Sequence, residues 1–371
     1  MKISIIGGGP AGLYFANSIK SINPDYNVSI YEARNESDNS FGLGYTLQSL
    51  STSLLERMDE NYFQSLFPHT QPLLITKALL KTNNHKQTFD FSDGFSVKRT
   101  ELIRYLQDKA LSLGVKIREK KIMPSHLKRL KKSSDLLVGA DGVNSVVRRQ
   151  FSSQLGPDVY KAKLKFSWFI NETPQIRKEA CFYAFKAPEG VILMTSYPLT
   201  ENKQVVIIEM TDDCMNSAAF QGKSPEEAIP YLNEILSSNG DQISLRPANL
   251  PWYTFRMNTI KSAFHENVTL IGDGAMSFHY SAGQGLTSAF MMGYTLANCL
   301  HKNSDIQTAL SHYEQSLKLS FETPAAQSIN HIKWFENVDN HFDNTPEDDW
   351  IEHFLKKDKF EDASSLLRCA S

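Results

Sequence analysis

The sequence has little cysteine, no long apolar run and no excess of either charge, and each shortage removes a class of protein. Its four cysteines, Cys181, Cys214, Cys299 and Cys369, form no C-x-x-C pair, and no histidine stands at zinc spacing from them. Neither a disulfide framework nor a structural metal site is expected, and a reducing, cytoplasmic setting suits the chain. With 39 basic and 41 acidic residues the net charge is −2, so no nucleic-acid or membrane partner is expected. The basic group Lys128, Arg129, Lys131 and Lys132 reads as a solvated helix end or turn, because an electrostatic footprint extends over a whole face. No apolar stretch reaches the roughly 18–20 residues of a membrane span. The start, Met1-Lys2-Ile3-Ser4-Ile5-Ile6-Gly7, lacks the pattern of a signal peptide, and Cys369 is one place out of register for a prenylation box. Internal repeats and low-complexity segments are also missing. So is any Ser-His-Asp or Cys-His order of nucleophile and base.

What is present is a chain of 371 residues, long enough for more than one core. Residues 2–6 have the pattern of a short buried strand, 10–22 that of a helix and 28–32 that of a second strand, together the size of a βαβ unit. An amphipathic helix is predicted over 100–113, with strands at 115–117 and 136–138. Beyond residue 160 the character changes. Segments 163–170, 180–186, 190–197 and 204–210 are aromatic and β-branched with turn signals between them, which predicts an antiparallel sheet. A helix over 224–238 has Ser224 as N-cap and Pro225 at its first position. A buried strand at 268–271, a helix from about Leu286 to His301 and a mostly helical 305–336 complete the pattern. The expected fold class is α/β. Segments 1–65, 96–155 and 260–320 form a discontinuous Rossmann-like dinucleotide-binding domain. Segments 66–95 and 156–259 form an inserted, mainly antiparallel domain for substrate, and 321–371 form a C-terminal helical segment.

The motif Gly7-Gly8-Gly9-Pro10-Ala11-Gly12 follows a strand and opens a helix, and Glu32 stands twenty residues beyond Gly12 at the end of the next strand. Gly7 permits the tight turn, Gly9 lets a pyrophosphate approach the backbone, and Gly12 lets helix and strand pack closely. The helix N-terminus offers amide hydrogens and positive dipole to phosphates, and Glu32 offers acceptors to ribose hydroxyls. The motif by itself does not choose between NAD and FAD.

Three later segments make that choice. Asp141-Gly142-Val143-Asn144-Ser145-Val146-Val147-Arg148 resembles the D-G-x-x-S-x-x-R fingerprint of the class A flavoprotein monooxygenases; the alternative is a capped turn, with Asp141 or Ser145 as the cap. Gly272-Asp273 at a strand end resembles their second FAD fingerprint, and Gly283-Gln284-Gly285-Leu286 then opens a helix. The resemblance implies that Asp273 binds a ribityl hydroxyl and that the amides of 283–286 lie beside the pyrimidine edge of the flavin. It also implies that Arg99 reaches the cofactor and that a loop at Gly42, Leu43 and Gly44 lies against the isoalloxazine. Ala33 and Arg34, next to Glu32, complete the expected cofactor site. An ion pair for Arg99 and a simple turn at 42–44 are the alternatives. Within the family, His279-Tyr280-Ser281-Ala282-Gly283-Gln284-Gly285 is similar to the H-F-S-x-G-x-G loop of the subgroup of salicylyl-CoA hydroxylase and the tryptophan-derived hydroxylase of violacein biosynthesis. Trp334-Phe335-Glu336-Asn337-Val338 adds to that likeness. Met292-Gly293 departs from the family's usual Asp-Ala, which puts the docking of that helix in question.

The resemblance implies a noncovalent FAD, reduced by NADH or NADPH bound transiently, since no second G-x-G-x-x-G is present to hold a nicotinamide. It implies reaction with O₂ to a flavin C4a-(hydro)peroxide and transfer of one oxygen atom to a small aromatic or heterocyclic substrate of secondary metabolism. Baeyer–Villiger-type oxygenation on the same scaffold, or a flavin dehydrogenase, remain as alternatives. His279 and Tyr280 are candidates to line the substrate pocket or simply to pack, and no side chain is assigned a catalytic role. The aromatics Trp168, Phe169, Phe182, Tyr183, Phe185 and Tyr197 are expected mostly in a core. A monomer or homodimer is expected.

Overall fold

The computed structural model describes residues 1–33, 43–68, 72–172, 176–240, 243–280, 283–345 and 349. The chain opens with β1 (Lys2–Ile6), α1 (Pro10–Ile22), β2 (Asn27–Glu32), β3 (Gly44–Gln48), α2 (Ser49–Met58) and α3 (Tyr62–Leu66). Next come β4 (Leu74–Lys81), β5 (Lys86–Lys98), α4 (Arg99–Ser112), β6 (Lys116–Glu119), α5 (Pro124–Ser133), β7 (Leu136–Gly139), α6 (Val146–Gln150) and α7 (Ser152–Leu155). Four strands follow, β8 (Pro157–Glu172), β9 (Ala180–Ala187), β10 (Gly190–Thr200) and β11 (Lys203–Thr211), then α8 (Asp212–Met215) and α9 (Pro225–Ser238). The last elements are β12 (Leu245–Pro247), β13 (Tyr253–Ile260), β14 (Phe264–His265), β15 (Val268–Leu270), α10 (Gly285–Lys302), α11 (Ile306–Glu336) and α12 (Val338–Asn344).

The predicted α/β class is the observed one. Among the described residues, a six-stranded sheet runs in the order β14-β15-β7-β1-β2-β6. Its strands are parallel except the edge strand β14. A nine-stranded sheet runs β12-β8-β11-β10-β9-β4-β5-β3, with β13 also paired to β8. It is antiparallel except where β4 meets β9. Strand β3, although within 1–65, pairs with β5 of this larger sheet.

Several predicted elements are longer than their patterns suggested. Strand β8 spans sixteen residues against a predicted eight, because it pairs with β11 over one stretch and with β13 over another. The basic cluster lies in the second half of α5, at the helix end expected for it, and Arg99 is the first residue of α4 rather than its predecessor. Helix α9 starts as predicted: Ser224 and Glu227 form a reciprocal capping box. Helices α2 and α5 and the pair β4/β5 were not anticipated from the sequence, although Leu50, Leu54, Leu55 and Met58 of α2 stand at helical spacing.

Alternation along the strands gives the larger sheet two faces. Phe185, Ile192, Met194, Val206 and Ile208 pack under α9 in a core of their own. The opposite face, with Ala184, Leu193, Val205, Ile207 and Phe166, joins the core of the smaller sheet. Helix α11 touches both halves. Glu314 near its start accepts from Ala263 N and Ser262 Oγ at 2.7 and 2.6 Å. Glu336 at its end accepts from Tyr160 Oη and Lys163 N at 2.6 and 2.7 Å.

The departure at Met292-Gly293 proves to be a docking device. Helix α10 lies against α1, with Tyr14 stacked on Phe290 at 4.6 Å. A Cβ on Gly293 would stand 3.2 Å from both Phe15 N and Tyr14 Cδ1, while Met292 is fully buried. Replacing Gly293 by valine must therefore push the helices apart, and we expect a loss of about 1–3 kcal/mol from overpacking. Denaturant unfolding of the variant checks this; an unchanged midpoint would show that α10 has room to spare.

Candidate functional site

Chain order reverses at β1, which has β2 on one side and β7 on the other. In open parallel sheets, ligands bind outside the carboxyl ends of the strands at such a switch point. The glycine motif follows β1, Glu32 ends β2, Asp141 follows β7 and Gly272-Asp273 follows β15, so all of them gather at that edge. The strand ends are stitched there by Gly7 N to Tyr31 O, Ala140 N to Ile6 O and Ile271 N to Gly139 O, at 2.7–2.9 Å.

Each position in the first motif has a visible reason. Gly7 holds φ +104, and a Cβ on it would lie 2.3 Å from Ala140 O. A Cβ on Gly12 would lie 2.2 Å from Gly7 O, so only glycine lets α1 start this close to β1. A Cβ on Gly9 meets nothing within 4 Å. Among the described residues, the start of α1, with Pro10 and Ala11 in its first turn, thus opens onto free space with its first amides uncapped by any side chain. Glu32 accepts from Gly8 N at 2.5 Å and from Ala33 N at 2.8 Å. Those bonds fix the carboxylate beside the turn.

Asp141 and Ser145 are both caps, so the two alternatives read from sequence hold together. The Asp141 carboxylate accepts from Ser145 Oγ at 2.5 Å and from Val146 N and Val147 N at 2.6 and 3.3 Å, and Ser145 Oγ accepts from Arg148 N. The buried Arg148 guanidinium donates to Gly274 O at 2.8 Å, Asp273 O at 3.3 Å and Val143 O at 2.6 Å. It thereby fixes the 3₁₀ turn Gly272–Gly274.

The Asp273 carboxylate accepts no hydrogen bond among the described residues. Its side chain is exposed, yet protein crowds it enough for burial to raise its pKa from 3.8 to about 6 against the opposing pull of Arg148. The residues at this edge therefore fit a dinucleotide: amides of a helix start for phosphates and two carboxylates for sugar hydroxyls.

A second group of predicted residues lies where the two sheets meet. A Cβ on Gly44 would strike Leu199 Cδ1 at 2.4 Å, and Gly44 O accepts from Tyr197 Oη at 2.9 Å. Leu43 O accepts from Arg99 N, and Arg99 Nε donates to Tyr45 Oη at 3.1 Å. A Cβ on Gly283 would meet Gln48 Nε2 at 2.9 Å, so the turn before α10 abuts the end of β3. Gln284 stands at the N-cap position of α10 without a side-chain capping bond, Leu286 is buried in its first turn, and a Cβ on Gly285 would meet only open space. Arg34 and Gly42 lie outside the described residues.

The candidates His279 and Tyr280 converge on a residue that the sequence did not single out. His279 Nε2 is 3.0 Å from Glu209 Oε1, and Tyr280 Oη donates to Glu209 Oε2 at 2.8 Å. Glu209 is 1% exposed, two residues before the end of β11. The available signal was a lone acid inside the apolar run Val205–Met210. Among the described residues no group of histidine, cysteine, aspartate and glutamate is arranged to hold a metal ion. No described helix is long and apolar enough to cross a membrane.

Residues 92–316 match the FAD binding domain family. Over 349 residues the chain is 27% identical to a salicyloyl-CoA 5-hydroxylase of Streptomyces, covering 91% of this chain and 66% of that protein. Over 352 residues it is 24% identical to a protodeoxyviolaceinate monooxygenase of Chromobacterium violaceum, covering 91% of this chain and 90% of that one. Among solved structures it is similar to 2-methyl-3-hydroxypyridine-5-carboxylic acid oxygenase, with a TM-score of 0.68, 20% identity and coverage of 90% and 92%. The relatives include the subgroup whose loop 279–285 resembles.

The crowding of Asp273 has a consequence for the ligand-free protein. An acid whose folded pKa is raised is stabilising to keep protonated, so stability falls as pH climbs from about 4 through 6. Asp273→Asn should gain thermal stability over the wild type across that window and hold the gain above it. Melting curves of flavin-free protein at several pH values check this. A difference that stays flat with pH would mean the carboxyl is freely solvated.

Proposed function

Because the chain belongs to the FAD binding domain family, we propose that it is a flavin-dependent monooxygenase. It consumes NADH or NADPH and inserts one oxygen atom of O₂ into a small aromatic or heterocyclic substrate of the secondary-metabolite type. It acts as a cytoplasmic monomer or homodimer. The observation that carries the reading is the gathering of Gly7–Gly12, Glu32, Asp273 and the start of α10 along one edge, beside a sheet face rich in aromatic side chains.

In this reading the amides at the start of α1, behind Gly9, Pro10 and Ala11, hold the pyrophosphate. Glu32, with Ala33 and Arg34 beside it, holds the adenosine ribose, and Asp273, presented by Gly272, takes a ribityl hydroxyl. The amides at Gly283, Gln284, Gly285 and Leu286 and the loop at Gly42, Leu43 and Gly44 border the isoalloxazine, with Arg99 at its side. Asp141 supports the site through α6. Bound FAD supplies hydride acceptance and oxygen activation, which no side chain here offers. The protein's part is to position, to exclude water and to complement charge. The α10 amides and helix dipole favour negative charge at the flavin's edge. The raised pKa of Asp273 argues that a ligand hydroxyl completes its hydrogen bonding.

The purified protein should carry noncovalent FAD, released by heat and identified by chromatography. Asp273→Ala should weaken FAD binding by 1.5–3 kcal/mol, roughly 10- to 150-fold, as expected for a lost charge-assisted bond. An unaltered dissociation constant in a folded variant removes Asp273 from the site, and FMN in place of FAD removes the proposal.

The reaction is tested with ¹⁸O₂ once a compound that accelerates NAD(P)H oxidation is in hand. One labelled atom is expected in the product. Label from water, or equal turnover without O₂, would point to a dehydrogenase. A labelled ring-expanded ester would replace hydroxylation by Baeyer–Villiger insertion.

A further inference from the structure

Hydrogen-bond register places two rows of side chains on the face of the larger sheet that joins the nucleotide half. Phe182, Thr195, Ile207 and Trp168 are directly opposite one another across β9, β10, β11 and β8. The next row is Ala184, Leu193, Glu209, Phe166 and Tyr253. Directly opposed residues share a face, so this is an aromatic wall with one charged group in it. Phe182, Thr195, Trp168 and Tyr253 are only half-buried, unlike Glu209.

A buried carboxylate in such a row is costly unless it is fully bonded. Glu209 meets that demand with the two residues that precede the turn into α10. Tyr280 O also accepts from Gly283 N at 2.9 Å, which ties the tyrosine to the turn itself. The Tyr280 ring packs on Phe166 at 5.3 Å and on His279 at 4.4 Å and is half-buried. His279 is held from behind by Phe255 and Phe335, and its backbone N donates to Ser328 Oγ. Burial and the charge of Glu209 raise the Tyr280 pKa well above 10, so the phenol stays neutral. A carboxylate only accepts, which forces Tyr280 to donate its one hydroxyl hydrogen to Glu209. The phenol oxygen is then left with acceptor capacity alone.

We propose that Tyr280 is the specificity-determining contact of the wall, its oxygen accepting a hydrogen bond from an O–H or N–H group of an aromatic substrate. Glu209 and His279 are positioning residues that set the direction of that bond. The proposal rests on the monooxygenase reading for the location of the substrate, and it narrows that reading to donor-bearing arenes. A site built around a committed acceptor rejects an analogue that lacks the donor, because the oxygen, once covered by the bound ligand, has no partner.

The test uses the FAD-loaded protein and two probe pairs of closely similar shape: indole with benzofuran, and phenol with fluorobenzene. Binding is read from the change in flavin absorbance on titration. The wild type should bind the donor of each pair at least about tenfold more tightly than its partner. Tyr280→Phe should bring each ratio to within about two- to threefold while leaving the FAD content unchanged. Glu209→Gln is the second variant, because an amide can also donate and so releases Tyr280 to turn its hydrogen outward. It should lower both ratios while flavin and melting behaviour persist, an effect that loss of packing alone would not produce. Equal binding within the pairs by the wild type, ratios preserved in Tyr280→Phe, or no spectral response to any of the four probes overturns the proposal. A protein that takes up no FAD fails the monooxygenase reading instead.

Discussion

The arrangement at the cofactor edge depends on one buried guanidinium. Arg148 leaves α6 and donates to three backbone carbonyls, two of them in the turn that presents Asp273. Burial lowers its pKa and Asp141 opposes that shift. Asp141 in turn organises α6, from which Arg148 projects. The charge is therefore held by backbone dipoles and the nearby carboxylates of Asp141 and Asp273 rather than by a bidentate partner. Such a network is costly to break, because removing one member leaves buried groups unpaired. Its effect is to lock the ends of β7 and β15 into one rigid edge, against which α1 and α10 then dock.

Much of this edge was legible in the sequence, because its parts are local. Gly7, Glu32 and Gly272-Asp273 stand at strand ends and Gly12 in the first turn of α1, a pattern visible in sequence, although the contacts that demand glycine at Gly7 and Gly272 come from the distant Ala140 and Ala11. The wall was legible only in outline. The segments 163–170, 180–186, 190–197 and 204–210 announced an antiparallel sheet, yet which residues share a face depends on register, and register depends on long-range pairing. Phe169 and Phe185 proved to be core, whereas Trp168 and Phe182 stand half-buried on the other face.

Glu209 illustrates what a linear reading misses. Its neighbours in sequence are apolar, and its partners lie 70 and 71 residues further on. Only the pairing of β11 with β8 and the approach of 279–280 give that carboxylate a purpose. The same holds for Arg99, whose side chain meets Tyr45 across 54 residues, and for Gly293, whose value lies in the backbone of α1. Each of these residues looks ordinary until a distant segment arrives.

The interleaving of the two sheets also sets an order of events at synthesis. Strand β1 needs β7 on its far side from β2, and α1 needs α10, so the packing of the first thirty residues waits for the last third of the chain. At translation speeds of about 5–20 residues per second, that delay is on the order of 15–60 s. The hairpins β9–β10–β11 need no such wait, since their partners leave the ribosome almost together. The apolar β1 and the open start of α1 are thus the segments most in need of a chaperone during translation.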